Sequence, residues 1–90
     1  MTPAQCKAAR TLLAWSIRDL AEASGTAPGT IQKFEAGERL THHLIVERLC
    51  ATLMERGVEF LPSEEPEPRA HLRAIELSDG STVRLKTEKG

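Results

Sequence analysis

Twenty-two residues, Ser16 to Gly37 (SIRDLAEASGTAPGTIQKFEAG), constrain this chain most, because two short helical patterns meet inside them at a glycine-containing turn. Ser16 caps the first helix and Asp19, three positions on, is its capping-box partner, while Ile17, Leu20, Ala21 and Ser24 fall on one helical face. That face is narrow and made mostly of small residues. Ala21 in mid-helix and Gly25 at the turn let a second helix cross closely, where bulkier side chains would hold the backbones apart. The second helix runs from Pro28, suited to a first turn by its missing N–H, to Ala36. Ile31 and Phe34 point inward, and Gly37 supplies a left-handed stop. Two such helices joined by so short a turn form a helix-turn-helix.

The flanking residues read as support. Thr2-Pro3-x-Gln5 is a capped helix start, and Cys6, Ala9, Leu12 and Leu13 recur at helical spacing to Leu13, with Trp15 filling the space beside the second helix. After Gly37 comes a loop, then Thr41 as the expected cap of a helix from His42 to Arg56. Its inward stripe is Ile45, Val46, Leu49, Cys50 and Leu53, and Gly57 ends it. Val58 to Leu61 alternates as a short strand does.

Leu20-Ala21, Gly25, Ile31 and the closing Phe34-Glu35-Ala36-Gly37 together resemble the Xre/Cro-type, lambda-repressor-like helix-turn-helix of bacterial and phage regulators. The opening MTPAQCKAARTLLAWS resembles that family's first helix, and the resemblance covers residues 2–61, two thirds of the chain. It implies a lambda-repressor-like bundle of four to five helices, the long helix being divided near its start in the five-helix form; with the strand at 58–61 and a β-hairpin read from the residues that follow, the expected fold is mainly α with a C-terminal strand and β-hairpin extension. The resemblance also implies an ion pair between Arg10 of the first helix and Glu35 at the close of the second helix of the motif.

Ninety residues make one small domain with a modest core, which a partner subunit would help stabilise. The formal charge is −1, with seven Lys/Arg against six Asp/Glu in residues 1–57 and five against seven in residues 58–90. A whole-chain basic footprint is therefore absent, which argues against strong nonspecific nucleic-acid binding and leaves room only for a local positive patch. No apolar run approaches a membrane span and the start is a capped helix rather than a leader, so the expected location is the cytoplasm. Cys6 and Cys50 lie in separate helices among inward residues and read as core thiols. With His42, His43 and His71 they match no structural zinc spacing, so neither metal nor cofactor is expected.

Residues 62–70 form a Pro/Glu-rich linker, since three prolines and three glutamates between Pro62 and Pro68 build no core. Residues 71–90 read as a β-hairpin around Ser78-Asp79-Gly80. A two-residue turn would split the apolar residues between faces, whereas a three-residue loop pairs Ile75 with Val83 and puts Ile75, Leu77, Val83 and Leu85 on one face. That face either folds back on its own chain or joins the 58–61 strand and a second subunit. The second arrangement is preferred, which makes the hairpin a dimerisation element.

By the resemblance, the second helix of the motif enters the major groove with Pro28, Gly29, Thr30 and Lys33 facing bases and Gln32 at the edge. Family members often carry long polar residues where Pro28 and Gly29 stand, and a polar residue at Ile17. Pro28 and Gly29 offer only shape; Thr30 reaches a hydrogen bond or a thymine methyl, and Lys33 a guanine or phosphate, so base readout is expected to be thin. Phosphate contacts fall to Arg18, Arg39, Thr41, the helix start at His42, and His43. The expected function is a DNA-binding transcriptional regulator, a repressor acting as a homodimer on double-stranded DNA. The alternative is a protein-interaction module on the same fold, such as an antitoxin or anti-activator. No nucleophile–base pair, paired carboxylates or phosphate-cradling loop suggests an enzyme.

Overall fold

A computed structural model describes residues 1–38, 41–61 and 74–85. The order of elements is α1 (Pro3–Leu13), α2 (Ile17–Ser24), α3 (Pro28–Ala36), α4 (His43–Glu55), β1 (Val58–Leu61), β2 (Ala74–Glu76) and β3 (Thr82–Leu85). The first two helices start where local chemistry dictates. The Thr2 hydroxyl accepts from the Gln5 N–H at 3.1 Å while the Gln5 side chain accepts from the Thr2 N–H at 2.8 Å. Ser16 and Asp19 repeat this reciprocal pair at 3.0 and 2.9 Å at the head of α2. Helix α1 ends on Ala14 in the left-handed region (φ 60°), an uncommon conformation for a residue with a Cβ. Gly25 and Gly37 close α2 and α3 at φ 73° and 71°.

One expectation at α4 needs correction. Thr41 is not its cap: the cap is His42, whose ring Nδ1 accepts from the Leu44 N–H at 3.1 Å, so the helix begins at His43. An imidazole nitrogen does here what a hydroxyl does elsewhere, and propensity favoured the threonine one residue too early. The helix is continuous from His43 to Glu55, so the described residues hold four helices, the lower of the two numbers expected.

The core unites all four helices with the sheet: Cys6, Ala8 and Ala9 of α1, Leu20 and Ala21 of α2, Ile31 and Phe34 of α3, Leu49 and Leu53 of α4, Val58 of β1 and Val83 of β3. The strands form one antiparallel sheet in the order β1-β3-β2, with Phe60 opposite Val83, Val58 opposite Leu85, and Ile75 opposite Val83. The three-residue loop is as expected: Leu77 donates to Ser81 O at 2.8 Å and accepts from the Gly80 N–H at 2.9 Å, with Gly80 at φ 92°. Asp79 accepts from both the N–H and the hydroxyl of Ser81, which holds its carboxyl below the usual range.

The hairpin's apolar face is covered within the chain. β3 pairs along β1 and packs on α1, and the Gln5 side chain donates to the Ser81 hydroxyl at 3.2 Å. Fully buried Val83 belongs to the helical core, and half-buried Ile75, Leu77 and Leu85 pack against it. The opposite face carries a Glu59–Arg84 ion pair at 2.7 Å, each partner about a third exposed. The expected linker at 62–70, and residues 71–73 and 86–90 of the expected hairpin, lie outside the described residues.

Candidate nucleic-acid interface

Helices α2 and α3 pack directly, and the turn between them is tight: both the Gly25 and Thr26 N–H groups donate to Ala21 O, at 2.9 and 3.2 Å. Ala21, which accepts both bonds, is 6% exposed and belongs to the core. Only the inner side of α3 is buried, through Ile31 and Phe34, so rotation of the helix about its axis is fixed from within.

The strongest fixation is polar. Arg10 reaches from α1 to grip Glu35 bidentately, Nε to Oε2 at 2.8 Å and Nη2 to Oε1 at 2.7 Å, with side-chain exposures of 13% and 7%. Its remaining Nη1 donates to Trp15 O at 2.9 Å, so one guanidinium ties α1, the α1–α2 junction and α3 together. Hydrogen bonding to Glu35 raises the Arg10 pKa despite desolvation. The thiol of Cys6 adds a third donor to the same carboxylate, Sγ to Oε2 at 3.2 Å. Burial, and then the Glu35 charge, push that thiol far above its ordinary range, so it remains a neutral donor. Nothing in the sequence distinguishes this thiol from an ordinary core cysteine; only the approach of Glu35 does.

Pro28, Gly29, Gln32 and Lys33 are exposed and Thr30 is half-buried. A Cβ built on Gly29 meets nothing within 4 Å, so the first turn of α3 leaves an open space where a longer side chain would stand. The cap of α3 is Ala27, which offers no side-chain hydrogen bond. Beside it the hydroxyls of Ser24 and Thr26 are buried without partners, a feature that periodicity in the sequence does not reveal.

Among the expected phosphate contacts, Arg18 is exposed on the first turn of α2, while Arg39 lies outside the described residues. Thr41 is half-buried; His42 and His43 are exposed, with rings stacked 4.9 Å apart. The start of α4 has less to offer an anion than a bare helix end, because Leu44 donates to the His42 ring and Ile45 and Val46 donate to His42 O. The exposed charges of α2, α3 and the residue after Gly37 are mixed: Arg18 and Lys33 against Asp19, Glu22 and Glu38. Such a surface supports local contacts rather than a strong field.

Among the described residues, no group of three or more His, Cys, Asp or Glu is placed to hold a metal ion, Cys6 and Cys50 are free thiols, and no helix is long and apolar enough to cross a membrane. No curated protein matches the chain. A family model described as helix-turn-helix matches residues 7–53, from within α1 almost to the end of α4. With more than half of the chain matched and α1 to α4 arranged around the α2–α3 turn, the protein belongs to the Xre/lambda-repressor-like helix-turn-helix family of DNA-binding regulators.

Proposed function

We propose that this protein is a transcriptional repressor that binds operator DNA as a homodimer, each copy laying α3 in the major groove of one half-site. The observation that carries the reading is the division of α3 into a locked inner side, where Glu35 is held by Arg10, and an exposed outer side of Pro28, Gly29, Gln32 and Lys33. A helix so fixed presents its outer side chains at a defined angle, which recognition of base edges demands. Lys33 and Thr30 supply the hydrogen-bonding reach, Pro28 and Gly29 allow close approach, and Arg18, Thr41, His42 and His43 flank the site as phosphate contacts, with Arg39 assigned the same role from sequence. Two copies would address half-sites about 34 Å apart, one helical turn of DNA. A domain of this size occupying an operator represses by exclusion.

The test is a salt titration of binding to random duplex DNA, followed by operator selection. Binding whose log K falls with log salt by several units, about 0.9 per phosphate contact, supports the reading. Lys33→Ala should weaken binding and reduce that slope by about one contact while leaving the melting temperature unchanged, since Lys33 is exposed. A folded protein that binds no DNA even at low salt would favour the other reading, an antitoxin or anti-activator whose surface takes a protein partner. The mixed charge around α2 and α3 and the short side chains at Pro28 and Gly29 are what favour that alternative.

A further inference from the structure

Two sulfur atoms stand side by side on the outside of α4. Cys50 and Met54 are four residues apart, one turn of the helix, and the Cys50 thiol donates to the Met54 thioether with Sγ and Sδ separated by 3.7 Å. Met54 is 52% exposed, an unusual setting for so large an apolar side chain, and Cys50 is half-buried beside it. Both belong to the unbroken helix His43–Glu55, which Leu49 and Leu53 fix in the core, so the backbone that carries the pair is rigid.

The chain's other thiol is placed in the opposite way. Cys6 is 0% exposed and donates to the Glu35 carboxylate at 3.2 Å, so losing its proton would set a second anion against the first inside the core. Cys50 has no such restraint: among the described residues, the Met54 sulfur is the one hydrogen-bond partner of its thiol, and a thioether is a weak acceptor. One thiol is thus locked in its protonated form, and the other stands at the surface with a second soft donor in reach.

We infer that Cys50 and Met54 together bind one soft monovalent cation, copper(I), on the outer surface of α4. Thiolate and thioether sulfurs are the donors that select this ion over harder ones. The spacing fits without rebuilding the helix. With a metal–sulfur bond of about 2.3 Å, angles from tetrahedral to trigonal set two ligating sulfurs about 3.8–4.0 Å apart, within a small side-chain adjustment of the separation seen. On binding, the Sγ–copper bond forms as the Cys50 proton passes to solvent; the thioether donates a lone pair, and copper stays in the +1 state, so no electron is transferred. The exposed side of the pair leaves the ion open to a further ligand from solution. A structural zinc site makes a different demand, four N, S or O donors, and no group of three or more His, Cys, Asp or Glu among the described residues meets it.

The test is an anaerobic titration in which the full chain competes for copper(I) with a chromophoric chelator. The wild type should take one equivalent per chain and develop thiolate-to-copper absorption in the near ultraviolet. Cys50→Ser should lose both signals. Met54→Leu keeps the apolar volume and removes only the soft donor, so it should stay folded by circular dichroism and bind copper(I) about tenfold or more weakly. Cys6 is present in every one of these proteins, so the differences belong to the surface pair. The inference is overturned if the wild type takes no copper from the chelator, if Cys50→Ser still takes a full equivalent, or if Met54→Leu binds as tightly as the wild type. Half an equivalent per chain would also overturn it, because the ion would then be shared between the thiols of two copies rather than held by one helix.

Discussion

The two ends of the recognition helix are held in opposite ways. At its C-terminal end every polar group that matters is matched: Glu35 accepts from Arg10 twice and from Cys6 once, and Gly37 returns its N–H to Phe34 O at 3.0 Å. At its N-terminal end the cap is an alanine, the first residue is a proline with no N–H, and two neighbouring hydroxyls are buried without partners. The helix is thus anchored at the end that reads nothing and left under-satisfied at the end assigned to bases. Anchoring one end of a nine-residue helix suffices to set its axis and rotation. If the helix reads DNA as proposed, the other end has fewer bonds to break in adjusting to a groove than a fully bonded turn would have.

Removing the anchor should have the largest effect. Arg10→Ala strips the Glu35 carboxylate, 7% exposed in the intact pair, of its guanidinium and leaves it only a thiol donor, and a buried charge stripped of its partner costs on the order of 3 kcal/mol. Urea unfolding should show that loss, with DNA binding failing only as the folded fraction falls. A loss below about 1 kcal/mol would mean that Glu35 relaxes to water and the anchor is not buried.

A gentler break of the same anchor is alkaline pH. The Cys6 thiol is raised in the folded state, first by burial and then by Glu35, while in the unfolded chain it ionises near its ordinary value of about 9. The folded state therefore holds its proton longer. Stability is full below about pH 9 and falls as pH rises beyond it, at up to about 1.4 kcal/mol per pH unit. Unfolding curves of the wild type and Cys6→Ala at several pH values isolate this term: the steep alkaline decline should appear in the wild type and be shallower in the variant. Parallel declines would detach Cys6 from the pair.

What was legible in the sequence follows the range of the interaction. The capping boxes Thr2/Gln5 and Ser16/Asp19, the glycine stops at Gly25 and Gly37 and the Ile75–Val83 register depend on neighbours within about ten residues, and each was readable. His42 displaced Thr41 because a ring nitrogen reached Leu44, a geometric accident that residue preferences do not encode. The pairing of β1 with β3 spans more than twenty residues, so the sequence could offer the apolar face but not say which chain would cover it. The Arg10–Glu35 link was legible only through family resemblance, and the unpartnered Ser24 and Thr26 hydroxyls were not legible at all. The recognition surface itself was placed by register, and the structure adds the exposure of its residues.

At the loose end, relieving the buried hydroxyls should stabilise. Thr26 is 8% exposed, and valine reproduces its branched shape without the unpaired oxygen. Thr26→Val should therefore gain about 1–2 kcal/mol, read as a higher urea midpoint at unchanged m-value. A decrease would reveal a partner for that hydroxyl and erase the contrast between the two ends.

The smallest change sharpens the contrast most. Ala27 already has the extended backbone of a cap, φ −64° and ψ 138°, so a serine there needs no rearrangement to accept from the first turn of α3. Pro28 has no N–H to give, and Thr30 already donates to Ala27 O at 3.1 Å, which leaves the Gly29 N–H as the donor a serine would satisfy. Ala27→Ser should add about 0.5–1 kcal/mol, a rise of a few degrees in melting temperature for a domain this small. If the looseness of this end serves binding, the same substitution should leave affinity for random DNA unchanged and slow adaptation to the operator, visible as a lower ratio of specific to nonspecific affinity. If affinity and specificity both hold while stability rises, the missing cap is simply an unoptimised helix end, and the freedom attributed to it has no functional consequence.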